Sequence, residues 1–322
     1  MKPSTTLLSP KNAIHHKRSD CPLCRSSQQT DYRRVDNYRI VRCDQCHFLF
    51  VSPLPSQEEL AAFYQQPAYY EGSDLGYADY LGDRRRHEQL ARGRLRRIAK
   101  MHPDRGTILD VGCAAGFFLS VAQSHGWQTA GIELSSSMAD YATQLLGHRI
   151  APTLADSGIQ PESLDAVTLW EYIEHIPDPQ DEITRLVALL KPGGALALST
   201  PNTNYWVAVH QPDRWREYKP PAHLGFFTPA TLRRMLESSG LEQIAIVRAT
   251  PRAPTQPYLL QRLLLLLRDR VGNGADRRTP LWWSFSLAWR LGAYMSRGLY
   301  HIRWPGCDLH IGLEAYAIKP KR

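Results

Sequence analysis

The sequence predicts an α/β protein built on a doubly wound parallel sheet. Apolar, β-prone stretches such as residues 107–111 alternate with helical stretches such as residues 117–126 through the middle of the chain. The first of these strands runs into a turn of small residues and then directly into a helix, which is how a βαβ unit begins. Two pairs of cysteines near the start indicate a small second module ahead of this core.

The composition is that of a globular chain with excess positive charge. Its 322 residues are 43% hydrophobic, enough for one full domain and a smaller module, and its formal net charge is +8. Arginine runs at 84–86 and 92–97 fit a solvated helix face, or contact with nucleic acid, anionic lipid or phosphorylated substrates. No window reaches the roughly 18 apolar residues that cross a bilayer, and the start lacks a secretory apolar core. We therefore expect a cytoplasmic protein.

Cys21, Cys24, Cys43 and Cys46 form two C-x-x-C pairs with the spacing of a four-thiolate zinc site. The β-prone run between the pairs can return as a hairpin and bring the four sulfurs into a tetrahedron. A closed tetrahedron has no open coordination position, so we expect a structural Zn²⁺ that stabilises residues 20–52 as a zinc ribbon. A redox role would need a thioredoxin-like βαβ context, which the sequence around these pairs lacks.

The turn after the first core strand has the features of a ligand-binding loop. Small residues from Gly112 to Gly116 let the backbone approach a ligand closely. Glu133 ends the next strand, where a carboxylate can accept both hydroxyls of a ribose. Asp110 directly before the turn would repel a pyrophosphate but suits a ligand with an amino group.

The stretch LDVGCAAG resembles motif I of class I S-adenosylmethionine-dependent methyltransferases, with Ala114 where the middle glycine is common. Residues from about 107 to 248 are similar to the whole core of that family, a seven-stranded Rossmann-like sheet. The resemblance implies S-adenosylmethionine as cofactor, with its methionine part at Asp110 and the turn, its ribose at Glu133 and its adenine near Asp156. The cofactor-binding residues it implies are Asp110, Gly112, Cys113, Ala114, Gly116, Phe117, Glu133, Leu134, Asp156, Trp170 and Glu171.

An acidic turn, WEYIEHIPDP, follows the fourth core strand. Glu171, Glu174 and His175 would share one face if they lay on a helical turn, and their polar groups would then converge. Convergent carboxylates repel unless a proton or a metal lies between them. Three interpretations stay open: cofactor contact combined with packing, His175 as a general base oriented by a carboxylate, or a divalent metal site.

This Glu-x-x-Glu-His run resembles the metal-binding segment of small-RNA 2′-O-methyltransferases and is similar to that of ubiquinone-pathway O-methyltransferases. The resemblance implies a divalent cation such as Mg²⁺ at Glu171, Glu174, His175 and His223. His223 opens HLGFFTP, which also looks like the base-bearing region of zinc-containing sugar C-methyltransferases, although residues 220–222 replace the tyrosine and glutamate found there. We name Glu174, His175 and His223 as catalytic candidates.

The chain divides into six predicted segments. These are a disordered tail (1–19), the zinc ribbon (20–52), a helical connector or lid (53–100), the methyltransferase core (101–250), a helical insertion (251–306) and a last strand with its tail (307–322). Residues 258–303 carry an apolar stripe with tryptophans and arginines, which fits a hairpin packed on the core or on a partner subunit, or peripheral docking on the inner membrane face.

Together these features predict methyl transfer to a hydroxyl of a small or lipid-linked metabolite, with sugar intermediates of polysaccharide biosynthesis as the first expectation. The layout is similar to that of bacterial methyltransferases of surface-glycan and natural-product pathways. The alternatives are RNA ribose 2′-O-methylation, sugar C-methylation and a non-catalytic scaffold that binds the cofactor. Methylation of nucleic-acid bases is disfavoured because the fourth strand lacks an Asn/Asp-Pro-Pro-aromatic run.

Overall fold

The computed structural model describes residues 20–56, 59–60, 80–102, 104–249 and 308–321. The predicted tail (1–19), most of the connector (61–79) and the helical insertion (251–306), with its proposed membrane contact at 258–303, therefore lie outside the described residues. None of the helices that fall within the described ranges combines the length and the apolarity needed to cross a membrane.

Strands and helices alternate through the core, as predicted. The strands are β1 (Gln29–Val35), β2 (Tyr38–Cys43), β3 (Leu49–Val51), β4 (Thr107–Val111), β5 (Gln128–Ile132), β6 (Leu164–Trp170), β7 (Leu190–Pro201), β8 (Gly225–Phe226), β9 (Glu242–Ala249) and β10 (Gly312–Ile318). The helices are α1 (Arg84–Met101), α2 (Phe117–Ser124), α3 (Ser136–Leu146), α4 (Pro179–Leu189), α5 (Trp206–His210) and α6 (Pro229–Ser238). Short 3-10 turns lie at Ala155–Ser157, Ile173–His175 and Pro212–Arg214.

The large sheet has the order β5-β4-β6-β7-β10-β9. Its first four strands are parallel, and β10 inserts antiparallel between β7 and β9. The carboxyl ends of β4, β5 and β6 therefore meet at one edge, where doubly wound sheets bind their ligands.

The predicted seventh strand is not among the described strands. Beyond β5, Ala151 makes one parallel bridge to Ile132, and residues 152–154 then leave the sheet as bends. Pro152 follows the bridge directly, and a proline cannot donate to a sheet ladder. The described sheet thus has six strands and one isolated bridge at the place where a seventh would begin.

Helix α1 packs across the sheet on an apolar stripe. Ala91, Leu95 and Ile98 are buried at spacings of four and three residues, as expected of one helix face. They join a cluster that contains Phe118 of α2 and Tyr316 of β10. The helix begins at Arg84, and it places Arg94 beside the ligand-binding edge.

Candidate active site

The turn between β4 and α2 has a conformation that requires small residues. Gly112, Ala114 and Gly116 all have positive φ angles, of 70°, 45° and 74°. A Cβ atom on Gly112 would lie 2.7 Å from the Tyr172 ring, so no larger residue fits there without displacing that ring. The N–H of Gly112 donates to the Ile132 carbonyl at 2.8 Å, which ties the turn to the end of β5.

Asp110 ends β4 beneath this turn and is buried. Its carboxylate accepts a hydrogen bond from the Thr168 hydroxyl at 2.7 Å. Burial raises the pKa of Asp110 to about 7, while the Thr168 hydrogen bond and the positive charge of Arg94 act in the opposite direction. The ammonium group of a ligand would be a second cation beside this carboxylate and would favour its ionised form.

Glu133 is buried at the end of β5 and holds the glycine turn in place. One of its oxygens accepts from the Ala114 N–H at 2.9 Å, and the other accepts from the Ser135 N–H at 2.8 Å. These two bonds hold the turn in the conformation described above, and the ribose role of Glu133 stays a prediction.

A cleft opens between α1, the glycine turn and the end of β6. We call it the cofactor cavity. Of the predicted cofactor residues, those that line it are Asp110, Gly112, Cys113, Phe117, Trp170 and Glu171.

The other predicted cofactor residues do not line the cavity; they are Ala114, Gly116, Glu133, Leu134 and Asp156. Ala114 and Gly116 shape the turn, and Leu134 is 51% exposed directly after Glu133. Asp156 is exposed in a 3-10 turn, where its carboxylate accepts from the Thr153 hydroxyl. The adenine role of Asp156 stays a prediction.

Arg94 is a cavity residue that the sequence did not reveal. Its guanidinium lies 4.1 Å from the centre of the Trp170 ring and donates to Glu314 at 2.9 Å and to the Ser199 hydroxyl at 3.1 Å. In the sequence it is one arginine in a basic run that fits a solvated helix face. The signal that could have singled it out is Glu314, a carboxylate within the otherwise apolar strand GLEAYAI.

Glu171 faces the cofactor cavity in a strained backbone conformation. Its φ angle is 52°, which is costly for a residue with a side chain. The Ser199 hydroxyl compensates by donating to the Glu171 carboxylate at 2.7 Å and by accepting from the Glu171 N–H at 3.1 Å. Because this residue leaves β6 in a left-handed conformation, its side chain does not share a helical face with those that follow.

The predicted convergence of Glu171, Glu174 and His175 is therefore wrong in part. Residues 173–175 form one 3-10 turn, and the group of potential ligand atoms within 4.8 Å of one another consists of Glu174, His175 and His223. We call these three residues the imidazole cluster. Glu171 belongs to the neighbouring cavity, although its charge still raises the pKa of Glu174.

The two histidines of the imidazole cluster are held as neutral bases. Nδ1 of His175 lies 2.7 Å from the Ala222 carbonyl, and Nδ1 of His223 lies 2.9 Å from the Glu217 carbonyl. A carbonyl can only accept, so Nδ1 of His223 carries the proton and its Nε2 keeps the lone pair. The ring of His175 meets a second carbonyl, that of Glu171. Burial lowers the pKa of His175 to about 4 and holds the pKa of His223 well below its usual value.

Glu174 has no comparable compensation. The residue is 1% exposed, and neither carboxylate oxygen makes a well-formed hydrogen bond within the described residues, although the nearby Thr200 hydroxyl acts to lower its pKa. Burial is the main reason that its pKa lies well above the usual value. The nearest cationic candidate, Nε2 of His175 at 4.0 Å, is neutral at pH 7. A buried carboxylate beside two neutral imidazoles is a donor set that fits a proton or a divalent cation.

The structure also places a carboxylate beside His223. An oxygen of Glu217 lies 3.7 Å from Nδ1 of His223. In the sequence, residues 220–222 stand where the C-methyltransferases have a tyrosine and a glutamate. Tyr218 instead packs against Trp215 and Phe226 in an apolar cluster. The base-bearing region therefore has its glutamate but not an available tyrosine.

The four predicted zinc ligands converge. Their sulfur atoms lie within 4.8 Å of one another, with Cys21 and Cys46 at 3.5 Å and Cys24 and Cys43 at 3.5 Å. The intervening β1 and β2 form the predicted antiparallel hairpin. This donor set fits Zn²⁺, and zinc occupancy stays a prediction.

Residues 83–246 match the family described as "Methyltransferase domain". The chain belongs to the class I S-adenosylmethionine-dependent methyltransferases. Within this methyltransferase family, a ubiquinone biosynthesis O-methyltransferase of Idiomarina loihiensis is 35% identical over 154 residues, which are 43% of this chain and 63% of that protein. One of Vibrio atlanticus is 30% identical over 166 residues, which are 48% of this chain and 70% of that protein. The matches thus span about two thirds of these relatives.

The methyltransferase also shares its fold with a solved structure. Phosphoethanolamine N-methyltransferase 2 of Haemonchus contortus, solved in complex with S-adenosyl-L-methionine, superposes with a TM-score of 0.51 at 18% identity. The alignment covers 84% of this chain and 63% of the other. At this identity the likeness concerns the fold alone.

The residues of the cofactor cavity fit S-adenosylmethionine. Its amino-acid end carries an ammonium and a carboxylate, and the cavity offers the Asp110 carboxylate and the Arg94 guanidinium. Trp170 lines the same cavity, and its indole N–H is buried without a hydrogen-bond partner in the described part of the chain. When bound, the cofactor supplies an electrophilic methyl group on a sulfonium.

Proposed function

We propose that this methyltransferase transfers a methyl group from S-adenosylmethionine to a hydroxyl of a small metabolite. The observation that carries the proposal is the adjacency of two unlike sites. Glu171 lines the cofactor cavity, and Glu174, three residues later, belongs to the imidazole cluster. An acceptor between them would meet the cofactor on one side and two neutral imidazoles on the other.

The reaction needs alignment and the removal of one proton. The acceptor oxygen forms a bond to the methyl carbon, the carbon–sulfur bond breaks, and its electron pair stays on sulfur. The hydroxyl proton must leave as the bond forms, and the Nε2 lone pair of His223 can accept it. The imidazole of His223 is neutral at pH 7 and its Nδ1 atom is fixed by the Glu217 carbonyl, so Nε2 is its accepting nitrogen.

Glu174, His175 and His223 could also hold a divalent cation, which would lower the pKa of a bound hydroxyl. The unpartnered carboxylate of Glu174 supports this proposal, as does the proximity of the three potential ligand atoms. Glu171 was also expected as a ligand, but its carboxylate is engaged by Ser199 in the neighbouring cavity. We therefore propose a three-residue site for the cation.

We propose two classes of acceptor. The names of the relatives favour an acceptor from ubiquinone biosynthesis, while the ribbon-plus-core layout suggested a sugar or a lipid-linked glycan intermediate. Both carry hydroxyl groups that the imidazole cluster could deprotonate. The relatives match over 154 to 168 residues, about half of this chain, so the sugar proposal keeps its basis in the layout of the whole chain.

The proposed function has a two-step test. Isothermal titration should detect binding of both S-adenosylmethionine and S-adenosylhomocysteine, because a catalyst must bind its cofactor and release the product. A methyl-labelled cofactor is then offered with ubiquinone-pathway precursors, sugar and lipid-linked glycan fractions, and total RNA. We expect label in a small-molecule fraction as a methoxy group. Label in RNA would favour the ribose alternative, label on carbon would favour C-methylation, and no cofactor binding would refute the proposal.

A further inference from the structure

The cysteine ribbon shares a sheet with the segment that carries His223. The small sheet has the order β1-β2-β3-β8, and β8 belongs to the methyltransferase core rather than to the ribbon. In the antiparallel pairing of β3 with β8, Leu49 lies opposite Phe226 and Phe50 lies opposite Gly225. The ribbon is therefore joined to the core by backbone hydrogen bonds, just after His223.

A short hydrogen-bond relay runs from the ribbon to the imidazole cluster. The N–H of Val51 donates to the Leu224 carbonyl at 2.9 Å, and the N–H of Leu224 donates to the Glu174 carbonyl at 2.8 Å. Leu224 follows His223 directly in the chain. One residue thus fixes the backbone of both His223 and Glu174, and it is fixed in turn by the last strand of the ribbon.

Side chains reinforce this connection. Phe48 follows the ligand Cys46 by two residues and packs against Phe227 of the core. The two ring centres are 4.9 Å apart, and both rings are fully buried. Cys21, Cys43 and Cys46 belong to the same hydrophobic cluster as these rings and as Ile173 of the 3-10 turn. The cysteine site is therefore continuous with the packing beneath Glu174.

We propose that the metal held by the four cysteines positions the imidazole cluster. About 30 residues bury too little apolar surface to fold alone, so the order of β3 depends on the metal as well as on its packing against the core. Loss of the metal releases β3, then Leu224, and with it the spacing between His223 and Glu174. The catalytic meaning of this positioning rests on the proposed function, whereas the structural coupling does not.

Hydrogen exchange on the full chain tests the coupling directly. We compare the zinc-loaded protein with the Cys24→Ser variant, which removes one ligand and leaves the imidazole cluster's own residues intact. Protection of the Leu224 amide and of the peptide around residue 174 should fall at least about tenfold, while the amides of β4 keep their protection. If exchange increases in the ribbon but not at residues 222–226, the proposal is overturned. It is also overturned if the purified protein holds no metal at its cysteines.

A second pair of variants keeps all four cysteines. Phe48→Ala should deprotect residues 222–226 and expose His223 to modification by diethyl pyrocarbonate, while the bound zinc remains. Phe48→Leu should restore most of the protection, and Thr30→Ala, on the exposed face of β1, should match the parent protein. Equal His223 modification in all four proteins would refute the coupling.

Titration with S-adenosylhomocysteine separates this inference from the proposed function. Each variant should bind it as the parent does, since the cofactor cavity is built from β4, β6 and α1 rather than from the ribbon. Failure of the parent protein to bind would remove the proposed function and leave the exchange result valid. Normal binding with unchanged exchange in Cys24→Ser would remove the coupling alone.

Discussion

In the cofactor cavity, the lining carboxylates have hydrogen-bond donors: Thr168 donates to Asp110, and Ser199 donates to Glu171. In the imidazole cluster a few residues further along, neither oxygen of Glu174 makes a well-formed hydrogen bond within the described residues, and the Thr200 hydroxyl is the nearby donor. The cavity is thus electrostatically prepared by the protein itself. The cluster is complete only when a proton or a cation joins it, which is what a site that handles protons requires.

The two sites also differ in how the chain builds them. The cavity uses consecutive elements from β4 to β6 together with one helix that packs on them. The imidazole cluster needs His223, nearly fifty residues beyond His175, and a ribbon strand that holds the segment in place. A mutation can therefore disable the cluster without disturbing the cavity.

The largest expected effect is that of Glu174→Gln. We expect kcat to fall about a thousandfold, as for the loss of a group that governs proton transfer, while the Kd for S-adenosylhomocysteine stays unchanged. In metal-free protein the free energy of unfolding should stay constant or rise, because the variant removes a buried charge that lacks donors. Steady-state kinetics, calorimetry and urea denaturation supply the three measurements.

Glu182→Gln is the matched control for that variant. Glu182 is also a buried carboxylate, but it accepts from the Tyr172 hydroxyl at 3.2 Å and pairs with Arg185. Here the free energy of unfolding should fall by about 1 to 3 kcal/mol because donors lose a charged acceptor. Equal loss of kcat in both variants would mean that Glu174 has only a structural role.

Asp110→Asn should have the second-largest effect, and it is confined to the cavity. The variant keeps an oxygen for the Thr168 hydroxyl but loses the charge that meets the cofactor's ammonium group. We expect about a hundredfold weaker binding of S-adenosylmethionine. At pH 8 the variant should unfold at a higher urea concentration than the parent, since it no longer buries an ionised carboxylate. A variant that binds the cofactor normally would contradict the assignment of Asp110.

The cavity could be predicted because the residues that form its turn are close together in the sequence. Asp110, the small residues of the turn and Glu133 lie within one βαβ unit, where residue types directly reflect backbone conformation and ligand charge. Arg94 was hidden because its partners Ser199 and Glu314 come from distant strands, and pairing over such separations leaves no periodic signal.

Local rules also misplaced one residue. The i, i+3, i+4 spacing assumed that Glu171 begins a helical turn, but its φ of 52° turns the side chain away from Glu174 and His175. Tertiary contacts with Ser199 select that conformation. The pairing of β3 with the two-residue strand β8 was equally unpredictable, because so short a strand has no pattern of its own.

The pH dependence of cofactor binding should show a smaller effect, of about tenfold. Asp110 must be ionised to meet the ammonium group, and its pKa is about 7. Affinity should therefore be full above pH 8 and fall about tenfold between pH 8 and pH 6, as the carboxylate takes up a proton. Titration calorimetry across this range should give a flat profile for Asp110→Asn, and a parent profile as flat as that of the variant would refute the assignment.

The raised pKa of Asp110 also makes the free energy of unfolding depend on pH. The pKa of Asp110 rises from 3.8 to about 7 on folding, so the folded state binds more protons between these values. Its contribution to stability is present below pH 3.8 and is lost as the pH rises through about 7. The difference in free energy of unfolding between the parent and Asp110→Asn should therefore grow with pH across this window.

Ser199→Ala should have the smallest effect and would show how closely the two sites are connected. The hydroxyl contacts both Arg94 and Glu171, so its loss leaves the strained backbone at Glu171 without one of its supports. We expect a loss of about 1 kcal/mol in transition-state stabilisation, which is a fivefold fall in kcat/KM. Ser163→Ala is the control, because its hydroxyl binds the Gln160 carbonyl at the opposite end of β6. A loss confined to KM would place Ser199 with the cofactor cavity alone, whereas a loss in kcat would mean that the position of Glu171 also matters to the imidazole cluster.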